Sequence, residues 1–562
     1  MPRREQMLER LDGHFDLLVI GGGVTGCGIA RDAARRGLSV ALVEMEDLAS
    51  GTSSRSSKLV HGGLRYLEHY EFSLVFEAVS ERRILMDIAP HLVNPLGFLF
   101  PVYKGSRRKL WLVNAGMWLY DGLSLFRSPK LHKKLSASEV AKVEPALTQA
   151  RLTGAPLYYD CSTDDARLTL ETALDAGLAG AAVATWCRAR SFLKGPNGRV
   201  QGVVVEDRHT GELKEVRARV VVNATGPWTD RTVAMSRPLG TGDLLRPTKG
   251  VHIVVEAEKL PVTNAVVCFH PTDGRVLFAI PWGEHTYIGT TDTDYEGDPG
   301  TVRADADDVA YLIDACAAYF PNHPIETDDV ISTWAGLRPL MAPVGASGEI
   351  DESAVSREHQ IVVGQDGLIT IAGGKLTTYR LMAAEVVDTA VKMLRLSNQL
   401  PPMLQPSSTE REPLPGAVGW PEDDDHARVA AQVLEAGGGH LEADTARYLG
   451  DLYGMRALDI ARMAAANPAL AERLVDGRPE VLAQVDWSVN EELAVTVQDI
   501  LRRRTQLYYR AKDQGAGCAA RVAARMAQLL GWDAEVEQQR LQHYLDDVAG
   551  SRGWRTQTAD PA

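Results

Sequence analysis

The feature that constrains this chain most lies near its start. A mainly apolar run from Phe15 to Ile20 leads into Gly21-Gly22-Gly23-Val24-Thr25-Gly26. A helical pattern then runs from Gly28 to Arg36, and Gly37 precedes a second apolar run, Leu38 to Val43, that ends in Glu44. The order reads as strand, glycine turn, helix, strand and acid. Short apolar runs bounded by turn residues suit buried parallel strands. Gly21 and Gly23 permit a tight turn and close backbone approach to a pyrophosphate, while Gly26 lets helix pack closely on strand. The helix start offers free N–H groups and partial positive charge to that phosphate. Gly37 sits where a left-handed C-cap ends the helix. Glu44 falls where a carboxylate can hold ribose hydroxyls. A glycine triplet alone would say little, but this context predicts a dinucleotide site in an α/β fold.

The rest of the composition excludes more than it identifies. A length of 562 residues suggests roughly two to four domains. The net charge of −14, from 60 basic and 74 acidic residues, argues against non-specific nucleic-acid binding, so no nucleic-acid partner is expected. Cys27, Cys161, Cys187, Cys268, Cys316 and Cys518 are scattered without close pairs, so neither a metal site nor a disulfide framework is expected. Buried thiols in a reducing cytoplasm are the simpler reading. The charged N-terminus lacks the apolar core of a signal peptide. No apolar run approaches the roughly 20 residues that span a bilayer, which leaves attachment to a membrane surface open.

Directly after Glu44 comes a stretch rich in hydroxyls, glycines and cations, from Ser50 to Leu67. Thr52, Ser53, Ser54 and Ser57 can donate to phosphate or cofactor-ring carbonyl oxygens. Lys58, His61 and Arg65 add positive charge beside the nucleotide unit.

These motifs resemble the FAD-dependent glycerol-3-phosphate dehydrogenase family. The likeness is carried by Gly21 to Gly26, Thr52 to Lys58 and His61 to Glu68, then by Asn223 to Trp228, Lys249 to Val255, Pro281 to Gly283 and Ile288 to Asp292. Gly336 to Pro339 and Gly373 to Arg380 complete it. It covers roughly residues 15–395 in a fixed order and continues more weakly beyond. The resemblance implies an α/β fold: a Rossmann-like FAD-binding domain, an inserted antiparallel β-rich substrate domain and a C-terminal all-helical domain. It implies FAD held by Gly21, Gly22, Gly23, Thr25, Gly26 and Glu44 in the first unit. Thr52, Ser53, Ser54, Ser57, Lys58, Leu59 and Gly62 follow in the hydroxyl-rich stretch. Gly226, Gly374, Lys375, Leu376 and Thr377 are implied from the later turns. Substrate binding falls to Arg65, Tyr66, His252, Arg338, Arg357 and Lys375. Of these, His252, Lys375 and Arg65 are the catalytic candidates, and His61 competes as base.

Boundaries follow from pattern. Residues 1–400 are expected to form the FAD-binding domain, with substrate-binding insertions at about 70–160 and 228–345. Residues 70–130 read as mostly helical. Within them, Arg107, Arg108 and Lys109 beside Trp111 and Trp118 fit either a helix lying in a membrane interface or a buried helix. Residues 183–223 read as strands that end in a second backbone approach to the dinucleotide at Asn223 to Gly226. Proline-punctuated residues 401–425 read as a linker wrapping the main body. Residues 426–550 read as helical, including Glu491 to Leu507, and carry no evident chemistry. The tail at 551–562 is expected to be disordered.

The implied reaction is oxidation of sn-glycerol 3-phosphate to dihydroxyacetone phosphate, with hydride passing to flavin N5 and electrons to a membrane quinone. The implied location is cytoplasmic and peripheral on the inner face of the cell membrane, and a homodimer is one open assembly state. Three alternatives stand beside this reading: an oxidase that uses oxygen, a nicotinamide-only dehydrogenase, and a non-enzymatic flavin-binding protein. The nicotinamide enzyme explains the first unit but not the second approach at 219–226 or the late glycine pair.

Overall fold

The computed structural model describes residues 3–63, 71–106, 108–123, 129–236, 244–342 and 359–557. Its first layer is a sheet in which the strand His14–Ile20 lies between Val40–Val43 and Leu213–Asn223, parallel to both. Ala182–Ala184 extends one side and Ile369–Ala372 the other, again in parallel. Parallel strands need covered faces, and these have them. The helix Val24–Arg35 packs between Asp165–Leu178 and Tyr379–Leu396 over one face. The result is one buried cluster that includes Leu17, Val19, Leu42, Val222, Ile369 and Val386.

Two glycines make the close packing at the strand ends possible. A Cβ at Gly26 would lie 2.0 Å from the Gly21 carbonyl oxygen. One at Gly21, whose φ is +113°, would lie 2.4 Å from the Ala224 oxygen. The Gly21 N–H donates to Val43 O, and the Ala224 N–H to Ile20 O, both at 2.9 Å. Three strand ends therefore meet at one edge, which is where ligands bind in open α/β sheets.

The second sheet departs from the sequence expectation. It unites both insertions: Asn94–Leu99 and Leu152–Ser162 come from the first, Leu245–Glu256, Ala265–Phe269, Val276–Trp282, His285–Gly289 and Ser332–Met341 from the second. The seam is a parallel pairing of Asn94–Leu99 with Ala265–Phe269, so the sheet is not wholly antiparallel. Most described residues of 70–130 are helical, as their pattern suggests, but two strands that the pattern does not show interrupt them. Helices Phe72–Ile88 and Leu110–Leu123 flank the strands Asn94–Leu99 and Val102–Tyr103. Hydrophobic spacing alone does not separate short buried strands from helix segments.

The segment 401–425 follows the body closely. Arg31 donates to the Thr409 oxygen at 3.2 Å and to the Glu412 oxygen at 2.6 Å, and the Leu414 N–H donates to Ile88 O. Helices from His426 to Ser551 follow. Within them, Glu491 to Leu507 is not one helix: a turn follows Glu491, and Asp499–Arg504 is a six-residue π-helix. The expected disordered tail is ordered as far as it is described. Residues 553–556 form a 3-10 turn whose Trp554 is buried in the core of the second sheet.

Candidate functional site

A cavity of about 470 Å³ opens where the strand ends of the first sheet meet. That volume is in the range of ligand pockets. Gly21, Gly23, Thr25 and Glu44 line it from the first unit, and Thr52 and Ser53 from the hydroxyl-rich turn. Gly226, Gly374, Lys375 and Leu376 line it from the later turns. These sequence-chosen residues, far apart along the chain, thus come together.

Glu44 closes the acid end of the cavity. Its Oε2 accepts the Gly22 N–H at 2.5 Å and its Oε1 accepts the Glu46 N–H at 2.9 Å. Burial pushes its carboxyl up to about 7, against the lowering effect of those two backbone bonds. Such a group gains from further donors, and ribose hydroxyls are donors of the right kind. The Ser53 Oγ accepts the Val24 N–H at 2.9 Å, so the hydroxyl-rich turn is tied to the helix start.

Other sequence-chosen residues lie outside the cavity lining. The Gly22 N–H serves Glu44, and Gly26 packs against Gly21. Lys58 is the clearest departure. Its ammonium is buried and donates to Asp165 Oδ1 at 2.6 Å, with the Trp334 ring 5.4 Å away. It neutralises a buried acid and does not reach the cavity. Ser54 is buried, and Leu59 belongs to a strand of the second sheet. The Gly62 N–H donates to Tyr120 Oη at 3.1 Å and Asp160 Oδ1 at 3.2 Å. The Thr377 hydroxyl donates to the His61 oxygen at 3.2 Å and accepts its N–H at 3.1 Å. These residues shape the walls from behind. Arg65, Tyr66 and Arg357 lie outside the described residues.

A second, smaller cavity of about 140 Å³ adjoins the first. Thr52, Pro339, Gly373, Gly374 and Lys375 line both, while Arg338 and Leu340 line only the smaller. Arg338 is placed by the ladder between Leu245–Glu256 and Ser332–Met341, where it stands opposite Thr248. Its Nη1 donates to Asp292 Oδ1 at 2.7 Å and its Nη2 to Thr290 Oγ1 and Thr291 O, both at 3.1 Å. Gly250 makes the room: a Cβ there would lie 2.6 Å from Arg338 Nη2. The Thr52 hydroxyl donates to Leu337 O at 2.7 Å, which fixes the hydroxyl-rich turn on the same strand. Lys375 precedes a 3-10 turn that runs into the helix Tyr379–Leu396, after Gly373 and Gly374 at φ +77° and +94°.

His252 lies behind these walls. Its ring stacks on Trp334 with centroids 4.7 Å apart, as cross-strand neighbours do, and Nε2 is 2.9 Å from Ser57 Oγ. Burial, then the charges of Arg338 and Lys58, hold its pKa well below the ordinary histidine value, so the ring is neutral. It lines neither cavity.

Sequence reasoning missed several lining residues, among them Ser50, Gly51, Arg188, Arg208 and Trp228. Ser50 and Gly51 carried a signal as the start of the hydroxyl-rich stretch and Trp228 as the last residue of the Asn223 to Trp228 motif, whereas Arg188 and Arg208 carried none. A Cβ at Gly51 would meet its ring at 3.1 Å.

This geometry has known counterparts. The family model for FAD dependent oxidoreductases matches residues 16–380, and that for the C-terminal domain of alpha-glycerophosphate oxidase matches residues 407–537. The chain belongs to the FAD-dependent glycerol-3-phosphate dehydrogenase family. It is 40% identical over 540 residues to glycerol-3-phosphate dehydrogenase 2 of Mycobacterium tuberculosis, covering 95% of this chain and 88% of that one. It is 37% identical over 552 residues to the aerobic glycerol-3-phosphate dehydrogenase of Staphylococcus saprophyticus, covering 97% of each. The solved structure of the glycerol-3-phosphate dehydrogenase from Bacillus halodurans, complexed with FAD, superposes with a TM-score of 0.81 at 32% identity over 99% of each chain. FAD is the cofactor of this family, and the residues present here fit it. The glycine cradle admits backbone close to a pyrophosphate, and the buried Glu44 carboxyl stands ready for ribose hydroxyls.

Proposed function

We propose that this chain oxidises sn-glycerol 3-phosphate to dihydroxyacetone phosphate with FAD and passes the electrons to a membrane quinone. The observation that carries the reading is the pair of cations, Arg338 and Lys375, in the small cavity that shares a wall with the cofactor cavity. FAD, when bound, supplies a hydride acceptor at flavin N5. In this reading Arg338 holds the substrate phosphate, and Arg357 joins it as a second phosphate ligand. Asp292 and Thr290 hold Arg338 in place, so its fork is oriented before the dianion arrives. Lys375, on the shared wall, stabilises the substrate oxygen as it loses its proton. Arg65 and Tyr66 complete the alcohol side. His252, neutral and hydrogen-bonded to Ser57, is a proton acceptor that works through that hydroxyl and not by touching substrate.

The helix Leu110–Leu123 supports a membrane-surface location. It buries Val113, Met117 and Tyr120 but exposes Trp111 by 66% and Trp118 by 60%, next to Arg108 and Lys109. Phe72 and Phe76 of the neighbouring helix Phe72–Ile88 are exposed beside it. Among the described residues, no helix is long and apolar enough to cross a membrane. An aromatic face flanked by cations suits the headgroup boundary, on the inner face of the cell membrane in this reading.

Anaerobic addition of glycerol 3-phosphate to the yellow protein tests the reaction. Bleaching far faster than plain glycerol produces at equal concentration is the expected outcome, and absence of bleaching with intact FAD overturns it. Reoxidation tests the acceptor: fast with a soluble quinone and slow with oxygen supports the dehydrogenase, while the reverse order makes the protein an oxidase.

A further inference from the structure

The C-terminal helices reach the cofactor loop through a buried ionic cluster. Glu44, Met45 and Glu46 line the cofactor cavity, and so do Ser50 and Gly51. Asp47 lies between these two groups, turns away from the cavity and is fully buried. Arg503 Nε donates to its Oδ2 at 2.5 Å, Arg504 Nη2 to its Oδ1 at 2.9 Å, and Arg504 Nη1 to Oδ2 as well. Both arginines belong to the π-helix Asp499–Arg504, more than 450 positions along the chain.

The arginines are themselves fixed. Arg503 Nη2 donates to Asp499 Oδ1 at 2.6 Å, and Asp499 accepts the N–H groups of Val495 and Thr496 at 2.9 Å. Arg504 Nη2 also donates to Glu492 O at 2.7 Å, while the Glu492 carboxylate accepts from Arg167 at 2.9 Å. Burial would push the Asp47 carboxyl up, but Arg504 and Arg503 overcome it and hold the group below the usual carboxylate range. Asp47 is therefore ionised, and two guanidinium groups depend on it.

The loop that Asp47 anchors also closes back on the glycine turn. The Ala49 N–H donates to Gly22 O at 3.0 Å, and Glu44 holds the Gly22 N–H. We propose that Asp47, with Arg503 and Arg504, is a positioning element that couples FAD binding to the docking of the C-terminal helices. An apolar contact could dock the helices with less desolvation, so the charges make sense as a device for register. π-Helical turns tend to occur where a side chain must be placed for a function, and this one aims two arginines at one carboxylate. The coupling is reciprocal: if the docked helices tighten the loop around FAD, FAD must tighten the docking by the same factor. The inference rests on FAD binding and is independent of the substrate.

The test uses the full-length protein, stripped of FAD and titrated with it, and reads two quantities. Asp47→Asn keeps the shape and removes the charge. FAD affinity should fall about tenfold or more. In wild type, FAD should slow amide hydrogen exchange over residues 495–505, and in Asp47→Asn this slowing should vanish. Arg503→Lys, which keeps the charge but loses the fork, should show a smaller loss of both. A merely structural role would lower stability yet leave the FAD dependence of exchange intact, and that result overturns the proposal. So does FAD affinity within about twofold of wild type in Asp47→Asn. If that variant does not fold, the same two readouts on Arg503→Lys decide.

Discussion

The two cavities share a wall but are built by different means. The larger is shaped by backbone: Gly21, Gly26 and Gly374 remove side chains so that strand ends and helix starts can close around a ligand. The smaller is shaped by side chains, with Arg338 on a strand of the second sheet facing Lys375 from a turn of the first. Backbone packing tolerates no added atom at Gly21 or Gly26, where a backbone oxygen stands within 2.4 Å of the Cβ position, whereas side-chain recognition is graded, because each contact can be removed alone. Mutation should therefore abolish binding at the closest-packed glycines of the larger cavity and only weaken it at the side chains of the smaller.

Gly26→Ala should have the largest effect. Its Cβ would lie 2.0 Å from a backbone oxygen, which cannot swing aside as a side chain could. Purified variant should lack flavin absorbance, and full flavin content would show that the strand–helix contact accommodates the extra atom. Gly23 gives a sharper contrast, since a Cβ there meets only Ser53 Oγ at 3.2 Å. Gly23→Ala should therefore fold normally, and any FAD it loses is lost to crowding of the pyrophosphate and not to backbone packing.

Arg338→Ala comes next. Losing a charge-assisted contact costs about 1.5–3 kcal/mol, roughly a ten- to hundredfold loss in kcat/KM. The loss should fall on glycerol 3-phosphate and leave FAD content and the weak turnover of plain glycerol unchanged. Equal loss for both substrates would mean that this arginine is not the phosphate ligand. Lys375→Met, on the shared wall, should instead slow flavin reduction at saturating substrate.

A smaller effect should come from pH. Cofactor-free Glu44 titrates at about 7, raised chiefly by burial. Where ribose hydroxyls donate to this carboxylate, as proposed, binding FAD should lower that value and release a proton. Affinity should thus rise with pH, level off above about 7, and fall by up to about tenfold per pH unit below. Titration of apoprotein with FAD across this range checks the slope, and Glu44→Gln should flatten it. For folding of the cofactor-free chain the sign is opposite. The Glu44 contribution is complete below the unfolded value of 4.5 and is lost as pH rises through about 7.

The smallest effect is expected at Ser53. Its hydroxyl accepts one helix-start N–H, so Ser53→Ala should cost about 1 kcal/mol of FAD affinity, which the same titration measures. A hundredfold loss would mean that the turn is as unforgiving as the glycines.

What the sequence determined by itself is the backbone-built half. The strand, glycine turn, helix, strand and acid are local in the chain, and their chemistry follows from residue types at fixed short spacing. That is why residue type and short spacing suffice to assign Gly21 and Glu44 to the larger cavity, whereas Gly374 is assigned through the family resemblance. The directions of the long side chains, by contrast, are set by contacts across the fold. Lys58 and Arg338 look alike in sequence, each a cation in a motif, and each pairs with an aspartate, yet Lys58 is sealed against buried Asp165 while Arg338, held by Asp292, still lines a cavity. His252 has the residue type of a base at the site and proves to stack on Trp334 behind Ser57. The stretch from Glu491 to Leu507 reads as one plain helix and instead delivers Arg503 and Arg504 to Asp47. A charge takes its role from whichever opposite charge the fold brings within about 3–4 Å, and partners hundreds of residues away leave no spacing to read.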